Sequence, residues 1–249
     1  MRIDILTIFP RIFESPLQES MMRRARERGL VEIKVHDFRE YSPDKHGRVD
    51  DYAYGGGPGM ILRPEPVAAA LKAILKEPGP GRTVLLSPQG SRFSQETAKE
   101  WAAENHLIII CGHYKGVDER IRERYVQEEV SIGDYVLSGG ELPALVIIDA
   151  VIRLIPGVLG DLQSAEGDSF YGGLLDHPHY TRPEEFEGMR VPEVLLSGHH
   201  EHIRLWRRKE ALRRTLEKRP DLLETTPLSD EERFLLEEIR AEKAMIRED

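Results

Sequence analysis

Apolar and polar residues alternate over residues 2–9 and more regularly over 31–38 (V-E-I-K-V-H-D-F), predicting two strands. Between them residues 15–28 carry a helical pattern stopped by Gly29, so the chain opens β-α-β. Residues 64–76 read as an Ala/Leu helix. Residues 83–87 read as a short strand closed by Pro88-Gln-Gly90, and Ser94 caps a helix running to about Asn105. Residues 107–111 (L-I-I-I-C) are apolar on both faces, as a central strand of a parallel sheet requires. That strand ends in Gly112-His-Tyr-Lys-Gly116, and Asp118 caps the next helix. A strand over 128–132 then enters a glycine-rich loop. Residues 142–155 follow as an apolar run broken only by Asp149 and Arg153, too short to span a bilayer and so a buried helix. Three strands thus deliver Gly- or Pro-containing loops to one carboxyl edge, where open α/β sheets bind ligands.

Beyond Ile155-Pro-Gly157 the pattern changes. Residues 160–171 are small, polar and aperiodic, a linker or lid. A Pro-, Gly- and His-rich stretch follows, then a basic helix over 199–218 and an acidic helix over 230–247. The expected organisation is a catalytic or binding domain over 1–159, a flexible linker over 160–171 and a small helical domain over 172–249.

Composition narrows this picture. With 40% hydrophobic and 32% charged residues in 249, the chain reads as soluble and globular. The single Cys111 leaves no intramolecular disulfide or cysteine-based zinc site and fits a reducing cytoplasm. The first residues carry Asp4 inside their apolar run and lack a small-residue cleavage site, so they read as a strand and not an export signal. A formal net charge of -9 argues against indiscriminate nucleic-acid binding, yet Arg204, Arg207, Arg208, Lys209, Arg213 and Arg214 crowd one segment.

Several motifs exclude chemistries. Residues 41–59 form a long polar loop ending in G-G-G-P-G, which is neither G-x-G-x-x-G nor a phosphate loop followed by Lys-Ser or Lys-Thr. His177, His179, His199, His200 and His202 make no H-E-x-x-H pattern, so no metal site is assigned and phosphate or solvent is their expected partner. Read alone, Asp168 is a solvated linker acid and Arg153 a cation at the negative end of a helix. The basic helix alone reads as amphipathic with a solvated charged face.

Taken together the segments have a specific likeness. Asp50-Asp51 with Gly55-Gly-Gly-Pro-Gly-Met60, Leu86-Ser-Pro-Gln-Gly90, Cys111-Gly-His-Tyr114 and residues 131–144 come first. Asp168-Ser-Phe170, His179-Tyr-Thr-Arg-Pro183 and Val194-Leu-Leu-Ser-Gly-His-His200 follow in the same order. In this the chain resembles the bacterial-type tRNA (guanine-N1)-methyltransferases of the trefoil-knotted (SPOUT) class. The resemblance implies an α/β fold whose mostly parallel sheet contains a deep trefoil knot, plus a small helical C-terminal domain. It implies S-adenosylmethionine as methyl donor, tRNA as partner, and a cytoplasmic homodimer with a shared active site and no membrane association. The methylated atom would be N1 of guanosine 37, just 3′ of the anticodon.

Carried over by position, the cofactor contacts implied are Leu86, Ser87 and Pro88, then Gly112, Tyr114 and Gly116. The third loop would add Ile132, Gly133, Asp134, Tyr135, Val136, Leu137, Gly139, Gly140 and Pro143. Asp168 is implied as the general base and Arg153 as the group stabilising charge on guanine O6. His46, Asp50, Arg182, Ser197, His199 and Arg207 are implied contacts to tRNA. One position departs: many members carry Glu where this chain has Lys115. A metal dependence resting on an acid there is left open. Two alternatives stand beside this reading, a non-catalytic RNA-binding or ribosome-associated protein and a knotted methyltransferase acting at another RNA position.

Overall fold

A computed structural model describes residues 1–76, 81–159 and 167–245. The chain divides into two compact units, Met1–Leu162 and Gln163–Asp249.

The first unit is an α/β layer structure. Its strands are β1 (Arg2–Thr7), β2 (Glu32–Asp37), β5 (Arg82–Arg92), β6 (His106–Cys111) and β7 (Glu128–Ser131). They form one sheet in the order β2-β1-β6-β5-β7, every pairing parallel. All six residues of β6 are buried, which is why its sequence is apolar on both faces. Leu107, Ile109 and Cys111 enter the apolar layer on one face, and Ile108 and Ile110 enter the layer on the other. Helices α1 (Ser20–Glu27), α3 (Gln95–Ala102) and α5 (Glu141–Ile152) cover the first face. Helices α2 (Pro64–Ile74) and α4 (Glu119–Tyr125) cover the second.

The expected caps are in place. Ser94 Oγ accepts the Thr97 N–H, and Asp118 Oδ1 accepts the Arg120 N–H.

Three expectations are corrected. The strand foreseen over 83–87 runs to Arg92, because after an irregularity between Leu86 and Ser91 it rejoins β7 at Ser91–Val130 and Arg92–Ser131. Pro88 sits in that bulge, where no ladder N–H is needed. Gly90 is required there: a Cβ would lie 2.3 Å from the Glu129 carbonyl carbon. The polar loop 41–59 is partly ordered into β3 (Asp50–Tyr52), paired antiparallel with β4 (Met60–Leu62). Three-residue strands are too short for alternation to reveal. The helix foreseen over 15–28 is a 3-10 turn, Pro16–Gln18, followed by α1.

One polar cluster lies inside the sheet. Asp4 in the middle of β1 is fully buried and accepts from His36 on one side and His106 (2.6 Å) on the other, with Arg2 Nε at 2.6 Å. Burial alone would push its carboxyl up, but these three donors outweigh it and hold Asp4 at about 2.

The second unit contains a short hairpin, β8 (Glu185–Phe186) with β9 (Met189–Arg190), and helices α6 (Glu193–Leu196), α7 (His200–Lys218), α8 (Asp221–Thr225) and α9 (Asp230–Met245). Its apolar core is small: Leu174, Leu212, Leu235 and Ile239, with Leu216, Leu223 and Leu228 at the margin. The basic helix α7 and the acidic helix α9 face one another. Arg204 pairs with Glu231 at 2.6 Å, Lys209 with Glu238 and Glu242, and Arg213 with Glu242. Much of the charge that reads as a phosphate-tracking surface is therefore internal pairing. The expected linker 160–171 lies outside the described residues up to 166; the remainder belongs to a hydrogen-bonded turn in which the Phe170 N–H meets the Leu174 carbonyl at 2.8 Å. No described helix is long and apolar enough to cross a membrane.

Candidate functional site

The carboxyl ends of β6, β5 and β7 open onto one cavity of about 320 Å³. Its walls are the three loops read from the sequence: the β5 bulge, residues 112–117 and residues 132–140. Every implied cofactor residue lines it except Asp134, whose exposed side chain turns to Arg92 at 3.5 Å.

Backbone contacts set this shape. The third loop returns over the end of β6, where the Gly140 N–H donates to the Gly112 carbonyl at 2.8 Å and Gly139 bridges His113. A Cβ on Gly140 would lie 2.7 Å from Cys111 Cα, so the two chain segments touch only because position 140 has no side chain. Beneath the loop, the buried Glu141 carboxylate accepts from Thr7 Oγ1 at 2.7 Å and lies 3.8 Å from His113 Nδ1. Thr7 Oγ1 in turn accepts the Phe9 N–H at 2.8 Å. These ties join β1, the 112–117 loop and the start of α5 under the cavity.

Tyr114 adopts φ 60, an uncommon left-handed backbone for a non-glycine residue. Burial and the neighbouring Asp50 charge raise its hydroxyl above the usual range. Asp50, foreseen as a tRNA contact, is thereby placed beside a cavity-lining tyrosine. His46 is exposed in a turn, with its N–H donated to Asp44 at 2.6 Å.

Arg153 does not line this cavity. It is the C-cap residue of α5, while Pro143 at the other end of the helix lines the wall. Ten residues at 1.5 Å each separate the two by about 15 Å.

The second unit holds a cavity of its own, about 460 Å³, whose walls include Asp168, Asp176, His177, His200, Arg204, Arg207 and Arg208. Asp168 and Arg207, both sequence candidates, thus share one cavity. Arg204 is held by Glu201 and Glu231, and Arg208 by Glu232. Among the described residues no carboxylate lies in ion-pairing range of Arg207. Ser197 Oγ accepts the His199 N–H at 3.1 Å, and the His199 ring stacks on His202 at 3.9 Å. Arg182 is exposed and precedes a cis proline.

Sequence reading missed the Thr7–Glu141–His113 network, whose members lie on three separate segments. It missed Asp176 as well, which accepts from His179 at 2.7 Å and whose ligand-type atoms lie within 4.8 Å of those of His177 and His179. The pairing of Asp176 with His179 at i, i+3 was the signal available.

Residues 1–225 match the family described as tRNA (Guanine-1)-methyltransferase TrmD. The chain belongs to that family. A tRNA (guanine-N(1)-)-methyltransferase of Dehalococcoides mccartyi is 57% identical over 244 residues, covering 98% of each chain. Proteins of the same description from Dictyoglomus turgidum and Geobacillus kaustophilus are 55% and 53% identical, over 97% and 98% of this chain and 98% and 100% of their own lengths. The family match spans both cavities, so the residues lining the first unit's cavity and the second unit's Asp168 fall within one matched length of chain.

Proposed function

We propose that this chain transfers the methyl group of S-adenosylmethionine to N1 of the guanosine 3′ of the anticodon in tRNA. The observation that carries this reading is the cavity at the carboxyl ends of β6, β5 and β7, walled by three loops in a member of this methyltransferase family. Its lining suits an adenosine-bearing ligand. Backbone N–H and C=O groups of residues 112–116 and 132–140 read a base edge, while Leu86, Ile132, Leu137 and Pro143 supply apolar surface.

The reaction needs a proton acceptor more than an electrophile activator, because the sulfonium methyl is already activated. Guanine N1 bears a proton. As the N1–CH3 bond forms and the S–CH3 bond breaks, that proton passes to the Asp168 carboxylate and the sulfur leaves as a neutral thioether. General-base help of this kind contributes about 10²–10⁴-fold. Electron density shifts toward O6 as the proton leaves, and Arg153 is the guanidinium assigned to stabilise it.

The active unit is a homodimer in which each copy completes the other's site. Leu142 and Val146 are 57% and 51% exposed on one stripe of α5, an unusual display for an otherwise apolar helix. Asp149 and Arg153 continue that stripe toward the far end of the helix. A second copy laid on this face covers the apolar residues and brings Arg153 to a cavity other than its own. The close passage of Gly140 over Cys111 supports the knotted arrangement of the three loops. The reaction is cytoplasmic, where tRNA is processed, and Arg182, Ser197, His199 and Arg207 face the tRNA.

The test is incubation with methyl-labelled S-adenosylmethionine and a tRNA carrying guanosine 3′ of its anticodon, against the same tRNA with adenosine there. Label at guanine N1 in the first only is the expected result. Tight tRNA binding without label would instead establish a binding protein.

A further inference from the structure

The charged side chains lining the first unit's cavity are unequally provided for. Glu119 and Glu129 both belong to Arg122, whose Nε donates to Glu119 at 2.6 Å and whose NH1 lies 3.5 Å from Glu129. Arg122 thus partners both acids and leaves the trio with one uncompensated negative charge. His113 faces the buried Glu141 carboxylate. Lys115 is different: it lines the cavity, yet among the described residues no carboxylate lies in ion-pairing range of it.

Its position is nevertheless well defined. The Lys115 N–H donates to the Met60 carbonyl at 3.0 Å, which ties the 112–117 loop to β4. The aliphatic stem lies flat along the backbone of Gly59. A Cβ built on that glycine would be 2.8, 3.5 and 3.1 Å from Lys115 Cγ, Cδ and Cε in turn. Three methylenes packed in succession restrict the side chain before any ligand arrives, so less rotamer freedom is lost when its ammonium is engaged. A restricted, unpaired cation on the wall of a ligand cavity fits an anionic ligand group.

We propose that Lys115 is the carboxylate-recognising residue of this cavity, pairing with the α-carboxylate at the amino-acid end of the methyl donor and of its thioether product. The proposal rests on the S-adenosylmethionine reading above. The amino-acid end carries one carboxylate and one ammonium, and a lysine selects the former. With both cavity acids committed to Arg122, orientation of that end follows from Lys115. Lys115 therefore sets the preference for ligands that retain a carboxylate over adenosyl thioethers that lack one. The ammonium is solvent-exposed, so the preference is moderate, about three- to tenfold, and falls with added salt.

The test is isothermal titration of the full chain with S-adenosylhomocysteine and with 5′-methylthioadenosine, which lacks the amino-acid end. Wild-type protein, Lys115→Met, Lys115→Arg and Lys115→Glu are compared. Lys115→Met is expected to weaken S-adenosylhomocysteine about three- to tenfold and leave methylthioadenosine within twofold of wild type. Lys115→Arg retains the preference, and Lys115→Glu lowers it at least as far as Lys115→Met. Equal weakening of both ligands by Lys115→Met would mean a structural role for the stem and would overturn the proposal. So would unchanged affinity for both. If wild-type protein binds neither ligand, the methyl-donor reading itself fails, and this assignment fails with it.

Discussion

The two units build their cavities from different materials. In the first, the walls are largely backbone: a bulged strand and two loops that touch because Gly90 and Gly140 lack side chains, set on a sheet whose central strand is wholly buried. In the second, the walls are arginines, histidines and acids of helix α7 and of residues 167–177, and the unit's buried apolar cluster among the described residues is Leu174, Leu212, Leu235 and Ile239. A backbone-walled cavity is intolerant of added volume. A charge-walled one tolerates substitution at single positions but depends on how its ions are partnered. Recognition of a neutral heterocycle suits the first, and engagement of a polyanion suits the second.

The largest effect is expected from emptying the second unit's small core. Leu212→Ala removes a fully buried side chain from the second unit and is expected to cost about 2–5 kcal/mol. In calorimetry the loss should fall on one transition and leave the other in place; equal lowering of both would show that the units do not melt separately. Filling the first unit's crossing is the next largest change. Gly140→Ala forces a methyl toward Cys111 Cα and is expected to cost about 1–3 kcal/mol, with S-adenosylhomocysteine binding lost in titration. Retained binding would mean the crossing is looser than the 2.7 Å approach implies.

Acid sharpens the same contrast. Asp4 is held at about 2, below the usual carboxylate value near 3.9, so its contribution is fully present above about pH 4 and is lost as pH falls through about 2. A loss of about 2 kcal/mol over that window is expected from urea midpoints. Asp4→Asn should flatten this part of the profile, and an undiminished slope would relocate the acid sensitivity. The smallest effect is expected at the helix pair. Lys209→Met removes contacts to Glu238 and Glu242 and should cost under about 1 kcal/mol at low salt, shrinking further as salt is added. Midpoints with and without salt measure it.

What the sequence made legible follows the same division. β6 was readable because burial on both faces makes residues 107–111 an unbroken apolar run, and the Ser94 and Asp118 caps because their chemistry is local. The lining of the first cavity was readable through motif resemblance, since backbone contacts leave no periodic trace of their own. The extension of β5 beyond Pro88 was not, because a bulge and its rejoining at Ser91 depend on the partner strand β7. Nor was the fate of the basic helix. Its positive run looks the same whether it faces phosphate or the acids of α9, and only packing shows that Arg204, Lys209 and Arg213 face the latter. Glu141 was hidden inside a helix start, its partners Thr7 and His113 being remote in sequence.

The most direct measurement is the rate of methyl transfer to guanine N1 in a single turnover, comparing wild type with Asp168→Asn under saturating labelled S-adenosylmethionine and tRNA. Removing the proton acceptor should slow transfer by about 10²–10⁴-fold, while S-adenosylhomocysteine affinity, proposed to reside in the first unit, should stay unchanged. Transfer at the wild-type rate in Asp168→Asn would contradict the assignment of the base.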